Sequence, residues 1–279
     1  MLVCGLLALV GVASIAAWGT LGIEAPAAEA GGGGAASAVR RYLWWANLVI
    51  SGGLVTGICA AGAGGRLVMR LLAATSPDAR GAVTEADQTV GEITVGGTLG
   101  FLLFAALPLA ILASVAFAFS HRWLPRGRLA GLLYGLLLLV VLGSRLEPLR
   151  SNNPDFRLLE PAWLAVVAFT LVVLADGMLT AAFMGWYSRR LPLPAGHRGV
   201  LLYYLWPVPL VLILFVVLVP VVVLTAIGAG LVAIVARLAP GLGQWWTSKR
   251  TTWVGRGLLA GGSVAALPGF VGAVNAIIP

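Results

Sequence analysis

From Gly199 to Ala236 the chain carries no charged side chain. As a single helix this stretch would be ~57 Å long, nearly twice the ~30 Å hydrocarbon thickness of a bilayer. Pro220 lies near its middle and lacks a backbone donor. The stretch therefore either folds back as a tight helical hairpin or projects beyond a membrane as one long helix.

Other uncharged runs repeat the pattern. Met1–Ile23, Tyr42–Gly65, Ile93–Ser120 and Gly257–Pro279 are each long enough to cross hydrocarbon. Leu129–Ser144 is shorter, bracketed by Arg128 and Arg145, whose side chains can snorkel to the interfaces. Pro161–Ser188 is interrupted only by Asp176. With 60% of residues hydrophobic and 10% charged, the chain is too apolar for a soluble domain, in which about a quarter of residues are charged. The net charge of +8 is scattered between the runs rather than gathered into the patch that nucleic-acid binding requires. Lys249 is the one lysine among 18 basic residues, a bias that points to a high-GC bacterial genome.

Loop charges choose between the two forms of the long stretch. If it crosses twice, Arg40, Arg41, Arg122, Arg126, Arg128, Arg189, Arg190, Arg198, Arg237, Lys249, Arg250 and Arg256 share one side. Arg66, Arg70, Arg80, Arg145, Arg150 and Arg157 are left on the other. If it crosses once, Arg237, Lys249, Arg250 and Arg256 change sides and the asymmetry disappears. Because basic loops stay cytoplasmic, the expectation is an all-α polytopic transmembrane helical bundle, a single membrane domain of eight spans. These run over about 2–22, 42–64, 96–119, 129–144, 161–187, 200–218, 220–236 and 257–278, in a bacterial cytoplasmic membrane with both termini outside. Seven spans are the alternative. Trp18, Trp44, Trp45, Trp123, Trp163, Trp186 and Trp206 fall near the ends of the runs, where indole prefers the headgroup layer. The first run lacks the basic start of a secretion signal, so it is read as a retained span, with Ala25–Ala38 as a flexible linker.

Between Gly65 and Gly97 lies the longest polar stretch. Arg66 and Arg70 share a helix face, which suggests a short interfacial helix. Ala82–Val95, rich in Val, Thr and Ile around a polar turn, suggests a small β-hairpin on the outer face. Asp78, Glu85, Asp87 and Glu92 fit no calcium-loop spacing and read as a solvated acidic face. Gly81, Thr84–Glu85, Val90–Thr94 and Gly97–Thr98 form a run that resembles one in multi-spanning membrane proteins of high-GC bacteria. The resemblance covers about residues 65–100 and implies a membrane fold and no activity. Gln244–Arg256 alternates tryptophan with basic residues, as an anchor on an anionic inner leaflet would.

Asp176 is the one acidic residue inside a span. A charge there costs about 2.5–3.5 kcal/mol on insertion scales, less if the group is protonated or bonds Thr180 one turn on. It is either a proton or cation relay or hydrogen-bonding glue between helices, with Asn47, Tyr134, Thr225 and Asn275 as candidate cross-helix partners. Small residues recur every fourth position at Gly53, Gly57, Ala61 and Gly65, at Gly177, Ala181 and Gly185, and at Gly257, Gly261, Ala265 and Gly269. Such ridges let helix backbones approach closely. His121 and His197 lie in loops, Cys4 and Cys59 in apolar runs, and no phosphate-cradling loop or nucleophile elbow is present. No cofactor or metal is therefore expected, and an enzyme is the least favoured class. The sequence leans to a non-catalytic membrane component or assembly subunit, with the lipid bilayer and other membrane subunits as partners. The alternative is a small-solute or proton-coupled ion transporter using Asp176.

Overall fold

The computed structural model describes residues 1–26, 34–85, 88–92, 94–146, 148–194, 198–207, 215–239 and 248–278. Among these the fold is all helix, with no strand. The elements are α1 (Leu2–Trp18), α2 (Ala35–Thr75), α3 (Val95–Ser120), α4 (Arg128–Gly143), the one-turn α5 (Asp155–Leu158), α6 (Ala162–Ser188), α7 (Arg198–Leu205), α8 (Phe215–Leu238) and α9 (Lys249–Ile277). Among the described residues five helices are long and apolar enough to cross a membrane: α2, α3, α6, α9 and the Pro220–Leu238 part of α8. Helices α1 and α4 are shorter and equally apolar.

α6 is the axis of the bundle, and α1, α2 and α4 pack around it, with α3 against α2. α8 lies on the first half of α2, where Gly228 leaves room for the Tyr42 ring. α8 and α9 expose leucine and valine outward, including Leu224 (66% exposed), Leu258 (67%) and Val264 (71%). Water would penalise such a surface heavily, whereas hydrocarbon does not.

Several boundaries differ from the sequence expectation. Arg66 and Arg70 do not form a separate interfacial helix; they continue α2, which widens to a π turn at Gly57–Gly62 and then runs on to Thr75. Pro220 ends no helix and lies inside α8, because a proline early in a helix sacrifices one hydrogen bond without ending it. Within the long uncharged stretch the described residues hold α7 up to Leu205 and α8 from Phe215, and residues 208–214 lie outside the described residues. The expected hairpin amounts to one antiparallel bridge between Val83 and Thr89, flanked by Thr84 N–H to Gln88 O (2.9 Å) and Val90 N–H to Ala82 O (2.9 Å). Asp87, His197, Pro209, Trp245 and Trp246 lie outside the described residues.

The two ends of the bundle can be told apart by contact. The Arg128 guanidinium donates to Ala16 O (3.1 Å) near the end of α1, and Trp18 stacks on Trp186 near the end of α6 with centroids 4.3 Å apart. Arg256 Nε donates to Trp123 O (3.3 Å), so α9 begins at the end of the bundle where α3 finishes. At the opposite end the polar loops interlock. Ser76 Oγ donates to Glu160 O (2.8 Å) and accepts from Glu160 N–H (2.7 Å), and Arg150 pairs with Glu85.

Candidate functional site

Fourteen residues into α6, ~21 Å along its axis, Asp176 is placed deep in the bundle and is 8% exposed. Thr180 is not its carboxyl partner. The Thr180 hydroxyl donates to the Asp176 backbone oxygen (2.8 Å), the back-bond that threonine makes inside helices. The Thr56 hydroxyl of α2 lies beside the carboxyl, and Tyr134 of α4 is close enough to feel its charge. Asp176 Oδ1 and Thr56 Oγ1 nevertheless have no hydrogen-bond partner, nor does Ser114 Oγ on α3. Buried polar groups without partners are costly.

Asp176 faces a cavity of about 740 Å³. Its walls are apolar, from α2, α3, α4 and α6, and include Phe101, Leu109, Leu138 and Phe169. Its mouth carries Arg66, Arg70, Glu85, Gln88 and Glu92. Small-molecule pockets commonly fall between about 300 and 1,000 Å³ and combine apolar walls with few polar groups. Three of the lining helices widen to π turns here, at Gly57–Gly62, Leu102–Ala106 and Leu139–Gly143. Such turns recur at functional sites. Pro108, just past the second, withholds the amide that would otherwise bond the Phe104 carbonyl, which favours a wider turn. Beneath the cavity the Tyr134 hydroxyl donates to Ala113 O, and its ring meets Phe117 edge-on at 5.0 Å. This contact joins α3 to α4 and closes the floor.

The mouth arginines are held in place. Arg66 donates to Gly97 O and lies 5.2 Å from the Phe101 centroid, while Arg70 Nη1 donates to Gly91 O (3.3 Å). Among the described residues no group of acidic, His or Cys side chains is arranged to hold a metal ion. Comparison with protein families, curated proteins and solved structures finds no match to this chain.

The small-residue ridges divide. A Cβ on Gly53 would come within 2.6 Å of Ile111 Cα, and one on Gly57 within 2.8 Å of Leu107 Cδ2, so both sit tightly against α3. Gly65 abuts Phe101, and Ala61 lines the cavity. Gly177 faces Gly135, and Gly185 abuts Leu21. On α9, Gly257 and Gly261 face open space, Ala265 is exposed, and Gly269 approaches only Arg145.

Of the other polar candidates, Thr225 bonds its own helix at Val221 O (2.7 Å) and Asn275 is exposed. Asn47 belongs to a network at the far end of the bundle that sequence reasoning missed. Asn47 Nδ2 donates to Tyr203 O (3.3 Å), and Trp206 Nε1 donates to the Tyr187 hydroxyl (2.8 Å). That hydroxyl has Asn47 Oδ1 at 3.1 Å and Tyr203 O at 3.0 Å as acceptors. The density of aromatics in Tyr203, Tyr204 and Trp206 was the available signal. The cavity left no sequence signal beyond Asp176 itself.

Proposed function

We propose that this is an eight-span protein of a bacterial cytoplasmic membrane, both termini outside, that admits a small and largely apolar solute to a cavity ending at Asp176. The observation that carries the reading is the unpartnered Asp176 Oδ1, more than nine-tenths buried yet lining that cavity. Pure helix glue would place the carboxyl in a hydrogen bond with a neighbouring helix. The resemblance over residues 65–100 is consistent with a bacterial membrane setting. The contact of Arg256 with Trp123 favours an even number of crossings between α6 and α9.

A thiol scan tests this. With Cys4 and Cys59 replaced by alanine, Asp176→Cys should react with a small thiol reagent, while Thr180→Cys, fully buried one turn away, should not. Equal protection of both would return Asp176 to a packing role. A second reading, a subunit that packs against other membrane proteins, is favoured by Gly257 and Gly261, whose small-residue face meets nothing in this chain.

A further inference from the structure

We infer that the cavity takes a lipophilic amine: a molecule with an alkyl or aryl body lying along the apolar walls and a cationic nitrogen at Asp176. The inference rests on the binding reading above and names the chemistry of its ligand. Among the described residues Asp176 makes no ion pair, and its Oδ1 and the Thr56 hydroxyl beside it both lack partners. A buried carboxylate in apolar surroundings is stabilised most by a charge of opposite sign with a proton to donate. A protonated amine supplies both, and Thr56 Oγ1 can accept a second of its hydrogens.

Other occupants fit less well. A divalent cation needs about six or more oxygen ligands, and the walls around Asp176 are hydrocarbon. A proton relay would need a chain of hydrogen bonds leading away from the carboxyl, but Asp176 Oδ1, Thr56 Oγ1 and Ser114 Oγ have no hydrogen-bond partners, and the Tyr134 hydroxyl is committed to Ala113 O. An anion would meet the carboxylate itself.

Entry also follows from the geometry. The polar mouth carries Arg66 and Arg70 but also Glu85, Glu92 and Asp155, so its charge does not select for a cation arriving from water. The cavity, however, is also lined by Phe104 and Leu112 of α3, which are 71% and 51% exposed on the outer surface of the bundle. α3 and α4 meet at Tyr134 and Ala113, and a side opening at the exposed Phe104 and Leu112 would face hydrocarbon. An amine already dissolved in the bilayer can reach Asp176 by this side opening without passing the arginines.

The test uses full-length protein in nanodiscs, with radiolabelled decylamine and decanol as probes and empty nanodiscs as the background. Decylamine should bind saturably and about tenfold or more tightly than decanol. Asp176→Asn should remove that preference. Leu112→Trp, which narrows the side opening, should slow the binding of both. Equal affinity for the two probes on the wild type, a comparison that needs no variant, would overturn the amine assignment and leave the cavity reading standing. Saturable binding of neither would overturn both.

Discussion

Gly177 of α6 lies so close to α4 that a methyl group on it would come within 2.5 Å of Gly135 Cα. The approach runs both ways, since a Cβ on Gly135 would lie 2.9 Å from Leu174 Cα. This backbone contact sets the position of the neighbouring Asp176. Gly177→Ala should therefore force α4 and α6 apart at a cost of about 1–3 kcal/mol, seen as a lower melting temperature in detergent. Gly261→Ala, where nothing lies within 4 Å, should leave melting unchanged. Equal effects at both positions would mean that the α4–α6 contact is not as tight as described.

The Tyr187 hydroxyl ties α2, α6 and α7 together through Asn47, Tyr203 and Trp206. Tyr187→Phe keeps the ring and leaves the Trp206 N–H without an acceptor. The loss should cost about 1–2 kcal/mol. Hydrogen–deuterium exchange across Arg198–Leu205 should quicken while that of α6 stays slow. Unchanged exchange in α7 would show that the network does not hold this helix.

Hydrophobic run length locates helices because a membrane leaves little choice of backbone structure, and α2, α3, α6 and α9 each contain a stretch recognisable as an uncharged run. The exact ends were less readable. Apolar residues stop at Gly65, yet α2 continues to Thr75 because Arg66 and Arg70 find backbone acceptors at Gly97 and Gly91. Pro220 marks a break in sequence terms but is absorbed inside α8. Asp176 stood out as the lone intramembrane acid, while its surroundings depended on pairings over long sequence distances. That Thr56 would stand beside it, that Tyr134 would be the one of the four candidate partners to do so, or that three π turns would line one cavity, follows from tertiary packing and leaves no periodic trace.

His121, in the turn after α3, packs against Trp45 (5.5 Å) and Phe117 (6.3 Å). Burial lowers its pKa from the usual value of about 6.5, Arg122 adds to the lowering, and the Ala118 carbonyl at 2.8 Å opposes it. The folded state thus binds fewer protons than the unfolded state between the lowered value and 6.5. Its contribution is complete above pH 6.5 and is lost as the pH falls through that window. Melting temperature should decline on acidification from pH 7 toward 5, and His121→Gln should flatten that decline. A steeper decline in the variant would reverse the assignment.

The placement of α9 makes the topology testable from one contact. Arg256 reaches Trp123 O, so the loop after α3 and the start of α9 occupy the same side of the membrane. Two crossings between α6 and α9 satisfy this, and a single crossing does not. In a background with Cys4 and Cys59 replaced by alanine, Arg126→Cys and Lys249→Cys should both resist an impermeant maleimide applied to whole cells. Both should react once the membrane is opened. Arg80→Cys, in the polar loop after α2, should react in intact cells. Labelling of Lys249→Cys but not Arg126→Cys in intact cells would establish an odd number of crossings. It would also remove the positive-inside asymmetry on which the orientation of the cavity toward the outer leaflet depends.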